Sequence, residues 1–418
     1  MHAPARIAAM VVALAAAMAA GCSASTGSLT SAPSRTTATV TSPSVSAGRA
    51  GAVPTSVPPY YVAMDPARQD RLIVRATRTG AVVATVDAPP RQVFTAVFGT
   101  GTGRIFTVDA RQEPATPAGG DELFLLRLRP GAGTPLPLVP LHVGHDVGPG
   151  LTAVALSPDA SKIAIAYTYR TSPPNPQPVI LYSVATGAVL RTWTVTSGII
   201  IAADPLGNGD LGQDARGTSM RWTADGRGLA YAFHANATTG RQGGYHRAAS
   251  IRLLDTTAPG SDLLANSRVL NGPGPVYNPG GGMGTQCLAG NGWSLSADGQ
   301  GVSCAAEWGT SGARLPAGTR PAKCARPMPG PGTPQQAGFG FWRQSWRPGG
   351  GGELETIYGV CPAATAADVQ LFWASPDGTM VLGNLDYPGH SMFGLFSKGT
   401  FRQVPPPPPG TPLTAIAW

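Results

Sequence analysis

Apolar and polar residues alternate in short stretches through most of the chain from residue 60 to its end. The stretches come in pairs, and a Ser/Thr-Pro/Ala-Asp-Gly/Ala sequence separates the two members of the clearest pairs. Alternation with a period of two is typical of β-strands, while Asp and Gly favour tight turns. The pattern therefore predicts β-hairpins over this part of the chain.

Four copies of this hairpin share an aspartate in the turn. The copies span 151–167, 220–233, 293–304 and 371–382, with Asp159, Asp225, Asp298 and Asp377 in the turns. We interpret these aspartates as turn-forming side chains rather than as calcium ligands. Further strand patterns follow the hairpins, and four strands in each unit are typical of a β-propeller blade. Gly-rich insertions at 202–218, 236–248, 271–285 and 309–338 account for the length of the units.

Two weaker units precede these four, and the chain ends on a sequence, 413–418, that matches 151–156 nearly residue for residue. A last strand of this kind can supply the inner strand that the first unit lacks, which closes the ring and removes an exposed sheet edge. We therefore predict an all-β, six-bladed β-propeller of four-stranded antiparallel blades, closed by the C-terminal strand. The predicted blades are 60–89 with 413–418, 91–142, 151–197, 217–270, 290–361 and 369–409. A pair of β-sandwiches is the alternative fold.

The N-terminal residues 1–21 are typical of a secretion signal. An apolar stretch at 7–20 follows Arg6, and it is shorter than the roughly 20 residues that a membrane-spanning helix needs. The stretch ends in Ala19, Ala20 and Gly21 before Cys22, which resembles the bacterial lipobox, although Leu is more usual at the position of Ala19. Cleavage before Cys22 would make it the acylated N-terminus. Ordinary cleavage, which leaves a secreted protein with a spare Cys22, is the alternative.

Residues 22–59 consist almost entirely of Ser, Thr, Ala, Pro, Gly and Val, with Arg35 and Arg49 as the two charges. Such a composition cannot bury enough apolar surface to offset the entropy of ordering the chain. We predict a disordered tether that holds the propeller, residues 60–418, away from the outer face of the cell membrane.

The Ser-Pro-Asp-Gly hairpins resemble the TolB-type, or PD40 (WD40-like), propeller repeats of secreted bacterial proteins. The whole chain is similar to actinobacterial lipoproteins that carry such repeats, and its richness in Ala, Gly, Pro and Arg suits a GC-rich genome. The resemblance implies a propeller and a lipid anchor, and it implies no particular activity.

Four cysteines remain beside Cys22, and all belong to one predicted blade: Cys287, Cys304, Cys324 and Cys361. Secretion makes disulfide bonds the expected state, whereas the spacing lacks the CxxC pairs that zinc sites use. Three connectivities are possible, of which we favour Cys304–Cys324 with Cys287–Cys361. A buried free thiol at Cys304 is the alternative.

The densest set of metal-ligating side chains is His142, His145 and Asp146. Two imidazoles and a carboxylate can bind a divalent metal, but a pair of loop histidines is more often plain surface, which we favour, and we expect no metal or other cofactor. A second loop set is His246 with Asp210, Asp214 and Arg216, which we interpret as solvated insertions. The glycines at 280–284 precede no Lys-Ser/Thr and do not form a phosphate-binding loop.

Aromatic residues concentrate in the last two predicted blades, at Trp308, Phe341, Trp342, Trp346 and Trp373. Such rings can stack on sugars or peptides, but they suit a blade core as well, and we favour the core.

The formal charge is +8, from 30 basic and 22 acidic residues. A cationic domain near a membrane is attracted to anionic lipids or wall polymers, although the scarcity of Lys indicates that codon usage sets the Arg content. Secretion argues against a nucleic-acid partner. We expect a monomeric, lipid-anchored propeller that binds an envelope protein, peptide or glycan without catalysis. A propeller-funnel hydrolase or lyase, and a sensor or scaffold beside a membrane kinase or transporter, are the alternatives.

Overall fold

The computed structural model describes the chain from residue 57 onward, with gaps. The described residues are 57–113, 121–143, 151–167, 177–195, 199–200, 220–235, 248–271, 292–308, 326–327, 338–345, 354–361, 368–387, 390–409, 411 and 416–418. The predicted signal and residues 22–56 of the predicted tether lie outside them, whereas residues 57–59 at the end of that tether are described. Within the described residues, no helix is long and apolar enough to cross a membrane.

The first three sheets are four-stranded cores with antiparallel pairing. Blade 1 contains β1 (Tyr60–Asp65), β2 (Arg68–Ala76), β3 (Val82–Asp87) and the last strand of the chain, β26 (Ile416–Ala417). Blade 2 contains β4 (Gln92–Gly99), β5 (Ile105–Gln112), β6 (Asp121–Arg127) and β7 (Val139–Pro140). Blade 3 contains β8 (Leu151–Leu156), β9 (Lys162–Tyr167), β10 (Gln177–Ser183) and β11 (Val189–Val195).

The last three sheets follow the same plan, and two of them carry one extra short strand. Blade 4 contains β12 (Ile199–Ile200), β13 (Met220–Trp222), β14 (Gly228–Ala235), β15 (Ala248–Asp255) and β16 (Ser267–Asn271). Blade 5 contains β17 (Trp293–Leu295), β18 (Gly301–Trp308), β19 (Arg326–Pro327), β20 (Gly338–Ser345) and β21 (Leu354–Cys361). Blade 6 contains β22 (Asp368–Ala374), β23 (Met380–Tyr387), β24 (His390–Ser397) and β25 (Thr400–Gln403).

The six-bladed propeller is therefore confirmed, and so is its closure. Val62 and Ala63 of β1 pair antiparallel with Ala417 and Ile416 of β26, so the chain's end supplies the inner strand of blade 1. The extra strands β12 and β19 were not predicted, because two residues give no periodic signal. Residues 413–415 of the predicted closing segment lie outside the described chain.

Each interface between neighbouring blades is filled by one apolar cluster of described residues. The cluster between blades 1 and 2 includes Val74 and Phe106, and the cluster between blades 2 and 3 includes Leu125 and Ile163. Equivalent clusters join blades 3 and 4, 4 and 5, 5 and 6, and finally 6 and 1. Six interfaces in a closed circle bury both faces of every sheet, which explains why the strands tolerate so few charges.

The four predicted aspartate turns share one hydrogen-bonding scheme. A hydroxyl donates to the turn carboxylate at 2.5–2.6 Å, from Ser157, Thr223, Ser296 and Ser375 to Asp159, Asp225, Asp298 and Asp377 respectively. Each carboxylate also accepts the backbone N–H two residues later, at 2.9–3.1 Å. The interpretation of these aspartates as turn formers is confirmed. We call the end of the propeller that carries these turns, 157–161, 223–227, 296–300 and 375–379, the turn face.

Candidate functional site

A polar cavity of about 880 Å³ opens on the turn face between blades 4 and 5. We call it the interblade groove. Its walls come from the aspartate turns of both blades, from the ends of β15 and β16, and from the connection between those two strands. It is lined by Thr223, Ala224, Asp225, Arg227, Gly228, Leu253, Leu254, Asp255, Thr257, Ala258, Ala265, Asn266, Ser267, Arg268, Ala297, Asp298 and Gln300.

Two carboxylates of the groove are fixed by their own turns. Hydrogen bonds from the Thr223 hydroxyl and the Arg227 backbone hold the pKa of Asp225 below its usual range. Burial acts to raise the pKa of Asp298, but hydrogen bonds from Ser296 and the Gln300 backbone outweigh it and leave the pKa lowered. Both groups are therefore charged at neutral pH and held in one orientation.

A third carboxylate, Asp255, stands at the end of β15. It accepts the Thr257 hydroxyl at 2.6 Å and the Thr257 backbone N–H at 2.8 Å, and these bonds lower its pKa. The same hairpin carries Asp262, which accepts the backbone N–H of Leu264 at 2.8 Å. Of the blade 4 carboxylates, Asp225 and Asp255 line the groove as ordered acceptors, whereas Asp262 is not among its lining residues.

Arg268 joins the two walls of the groove. It extends from β16 of blade 4 and donates to the carbonyl oxygen of Gly299 at 2.9 Å and to Oε1 of Gln300 at 3.1 Å, both in the blade 5 turn. Burial lowers the pKa of Arg268, and the charge of Asp298 opposes that shift. Arg227 supplies a second, exposed guanidinium beside the blade 4 turn. The groove therefore offers cations and anions within one space.

This arrangement suits recognition of a polar ligand. Fixed carboxylates accept hydrogen bonds, two guanidiniums donate them, and Asn266 and Gln300 can do both. Because the acidic side chains are already ordered by their turns, binding costs little of their conformational entropy.

Two further ionisable residues lie deeper in the propeller, and neither was singled out by sequence. Asp109 on β5 is fully buried and has a partner. Arg221 lies on β13, the inner strand of blade 4, where burial lowers its pKa to about 10. Arg221 remains protonated at neutral pH and donates to the carbonyl oxygen of Met220 at 3.3 Å. Nothing in the sequence marks Asp109 or Arg221 as a candidate site residue, because each is a single charged residue within an otherwise apolar strand pattern.

The predicted loop sites are placed only in part. His142 is exposed just beyond β7, whereas His145 and Asp146 lie outside the described residues. The same holds for His246, Asp210, Asp214 and Arg216, and for the glycines at 280–284. Among the residues that the structure describes, no group of three or more His, Cys, Asp or Glu is placed to hold a metal ion.

Of the predicted cysteine sites, Cys304 has a described side chain. It lies on β18 and is 1% exposed, in the cluster with Trp293 and with Ile251 and Leu270 of blade 4. Cys361 ends β21, and its side chain is outside the described part, as are Cys22, Cys287 and Cys324 altogether. Lipid attachment at Cys22 and the disulfide bonds stay predictions.

The aromatic residues of the last two blades form core rather than a binding platform where they are described. Phe341 is fully buried and lies 4.7 Å, between ring centroids, from Phe396 of blade 6. Trp342 is also buried, and Trp373 is buried while its Nε1 donates to the carbonyl oxygen of Gly101 at 3.1 Å. The side chains of Trp308 and Trp346 lie outside the described residues.

The closing strand adds an aromatic cluster between blades 6 and 1, which we call the closure cluster. Trp418 lies 4.9 Å from Tyr61 and 5.2 Å from Phe372, between ring centroids. Its carbonyl oxygen accepts the backbone N–H of Gly101 at 2.8 Å. A side chain on the neighbouring Gly99 would collide with this carbonyl, so glycine is required there.

We compared the chain with known proteins, and the matches are to solved structures at the level of the fold. No family model matches the chain, and no curated protein matches it. The solved structures with similar folds include the β-propeller domain of the Trilobed protease from Pyrococcus furiosus (10% identity, 75% of this chain and 71% of that chain, TM-score 0.34). The Dos1 propeller is 12% identical over 82% of this chain and 77% of that chain, with a TM-score of 0.38. Prolyl oligopeptidase B from Galerina marginata is 12% identical over 76% of this chain, which spans 38% of that chain, with a TM-score of 0.37.

Proposed function

We propose that this protein is an extracytoplasmic, lipid-anchored β-propeller that binds a peptide segment of an envelope protein in the interblade groove, without catalysing a reaction. Acylation of Cys22 would hold it at the outer face of the membrane, and residues 23–59 would act as the tether. The observation that carries the proposal is the groove itself, a polar cavity between two rigid hairpin turns.

The size of the groove supports a binding role. About 880 Å³ falls within the range of roughly 300–1,000 Å³ that ligand sites occupy. Its walls are hairpin turns closed by backbone bonds, such as Thr223 N–H to Gly228 O at 2.9 Å and Ser296 N–H to Gly301 O at 2.8 Å. A site on such turns changes little on binding, which preserves affinity.

The chemistry of the lining favours a peptide over a glycan. Sugar rings stack on aromatic faces, and the described lining of the groove contains no aromatic residue. It contains three carboxylates and two guanidiniums, which match the peptide backbone together with side chains of both charges. We therefore expect a segment with a basic residue opposite Asp255 and an acidic residue opposite Arg227.

Capture from intact cells tests the binding site. The exported wild-type protein is crosslinked to its neighbours and purified, and the same is done with Arg227→Glu. A charge reversal in the groove should reduce the captured partner at least tenfold, because a close pair of opposite charges becomes a repulsive one. Arg402→Glu is the matched control, since Arg402 is an exposed arginine on the outer strand of blade 6.

The control separates specific from general electrostatic effects. Equal loss of the partner in Arg227→Glu and Arg402→Glu would show that net charge, rather than the groove, governs binding. Undiminished capture by Arg227→Glu would refute the groove as the site.

The anchor is tested independently of the groove. Cys22→Ala should move the protein from the membrane fraction into the medium, because the acylated cysteine is the proposed attachment point. Continued fractionation of Cys22→Ala with membranes would contradict the lipid anchor.

A further inference from the structure

The connection between β15 and β16, residues 256–266, forms a wall of the interblade groove and also contacts blade 3. Residues near both of its ends line the groove, whereas its middle lies against β11, the outer strand of blade 3. We propose that Arg191 on β11 is a positioning residue for the groove, which fixes this wall and, through Thr256, the groove residue Arg227. The inference rests on the proposed binding role of the groove.

A neighbouring indole orders the guanidinium of Arg191. Arg191 and Trp193 are two residues apart on β11, so their side chains point to the same side of the strand. The Cζ atom of Arg191 lies 5.1 Å from the centroid of the Trp193 ring, which is within the range of about 6 Å for a cation–π contact. Trp193 itself is fully buried. The fixed indole therefore supports the guanidinium on one of its faces.

Arg191 donates two hydrogen bonds to the backbone of the connection. Nη1 donates to the carbonyl oxygen of Thr256 at 3.2 Å, and Nη2 donates to that of Gly260 at 3.0 Å. Both nitrogens belong to one planar guanidinium, so the fork holds two carbonyls that lie four residues apart in the chain. A lysine ammonium is a point charge without this fork, so it cannot hold both carbonyls in the same arrangement.

The backbone of β11 holds the same connection at a different place. The N–H of Thr194 donates to the carbonyl oxygen of Ser261 at 2.9 Å, and the N–H of Leu263 donates to that of Thr194 at 3.0 Å. Leu263 is fully buried in the apolar cluster that contains Trp193. The backbone bonds therefore dock the middle of the connection, whereas Arg191 holds its start, beside the groove.

Thr256 connects Arg191 to the charges that we propose for ligand binding. Its backbone N–H and its hydroxyl both donate to the carbonyl oxygen of Arg227, at 2.9 and 2.8 Å. Thr256 also directly follows Asp255, the carboxylate that we expect to meet a basic residue of the ligand. Because Thr256 is 8% exposed, these bonds lie in a region of low dielectric, where they are strong. The spacing of Asp255 and Arg227 is therefore set where Arg191 holds the backbone.

Hydrogen exchange at single-residue resolution, on the full-length exported protein without ligand, tests whether Arg191 holds this wall. Arg191→Ala should accelerate exchange at the amides of 256–258 by about tenfold, because hydrogen bonds from a charged donor are lost. The amide of Leu263, which is bonded to Thr194, should keep its protection. Arg191→Lys should give an intermediate acceleration. Arg402→Ala, which removes an exposed arginine from the outer strand of blade 6, should give none.

The pattern of exchange separates positioning from general stability. A uniform acceleration across the inner strands of the blades in Arg191→Ala would assign Arg191 a merely structural role and overturn the proposal. Unchanged exchange at 256–258 in the same variant would overturn it as well.

Crosslinking capture from intact cells tests the consequence for binding. Arg191→Ala should lower the captured partner roughly twofold to thirtyfold, the range for residues that act on a site from a distance, and Arg191→Lys should recover part of the loss. Faster exchange with undiminished capture, where Arg227→Glu abolishes capture, would overturn the link between Arg191 and the groove. Capture that is insensitive to Arg227→Glu would refute the groove itself, and the exchange data alone would then decide whether Arg191 holds the wall.

Discussion

The interface between blades 6 and 1 and the interface between blades 4 and 5 join neighbouring sheets of one fold in different ways. The first is filled by the closure cluster, in which Trp418 and Tyr61 stack at 4.9 Å and Trp373 donates to Gly101 O. The second has a small apolar cluster around Trp293, and toward the turn face it opens into the polar groove. The two interfaces therefore differ in role: the interface between blades 6 and 1 closes the ring, and the interface between blades 4 and 5 contains the polar groove.

The difference follows from the covalent connections. Blades 4 and 5 are consecutive in the chain, so their contact is held by the backbone and can leave polar space for a ligand. Blades 6 and 1 are joined through β26, which contributes two paired residues to blade 1. So short a strand requires large apolar contacts to close the ring, since an aromatic side chain buries 150–250 Å².

The largest expected effect is loss of the closure. Trp418→Ala should destabilise the protein by about 3–5 kcal/mol, because it removes a 3% exposed indole that contacts three aromatic rings. Urea denaturation followed by tryptophan fluorescence measures this effect. Leu190→Ala, on an outer strand where the side chain is 52% exposed, should shift stability by less than about 0.5 kcal/mol. Similar losses in the two variants would mean that the closure cluster does not stabilise the ring.

A matched pair of turn variants compares the groove with a turn outside it. Ser296→Ala in blade 5 and Ser375→Ala in blade 6 each remove a hydroxyl that bonds an aspartate and accepts a backbone N–H, from Gly301 and Met380 respectively. Each should cost about 1–2 kcal/mol in thermal or urea unfolding. Partner capture should fall in Ser296→Ala alone, because that turn forms a wall of the groove. Equal partner capture by Ser296→Ala and Ser375→Ala would mean that an ordered blade 5 turn is not required for binding.

The smallest expected effect is acid sensitivity. Hydrogen bonds lower the pKa of Asp377 and Asp225 in the folded state, so their stabilisation is complete above the unfolded-state pKa of about 3.9 and is lost as pH falls through the lower folded-state values. Because both groups are largely solvated, screening keeps the effect of each below about 1 kcal/mol. The melting temperature should be constant from pH 7 to about 5 and fall below about pH 4. Asp377→Asn should flatten that fall, and an unchanged pH profile would contradict the role of the turn carboxylates.

The sequence was sufficient for the fold because its signals are local. Alternation marks each strand, and each Ser/Thr-x-Asp turn carries its hydroxyl and carboxylate within two residues, as at Ser157 and Asp159. The closing strand was visible because 413–418 matches 151–156. The two-residue strands β12 and β19 carry no such periodicity, so they were missed.

The groove could not be found in the same way. Arg268 and Gln300 meet across an interface between two blades, and their separation of 32 residues has no periodic signature. The deciding quantity is the strand order that places the blade 4 and blade 5 hairpins side by side.

The most direct test of the account is site-specific photo-crosslinking in intact cells. A photoreactive residue is placed at Gln300, on the groove wall, or at Gln403, exposed on the outer strand of blade 6. The account predicts one covalent adduct with a protein partner from position 300, none from position 403, and loss of the adduct when Arg227→Glu is added. An adduct from position 403 alone, equal adducts from both positions, or no adduct from position 300 would contradict it.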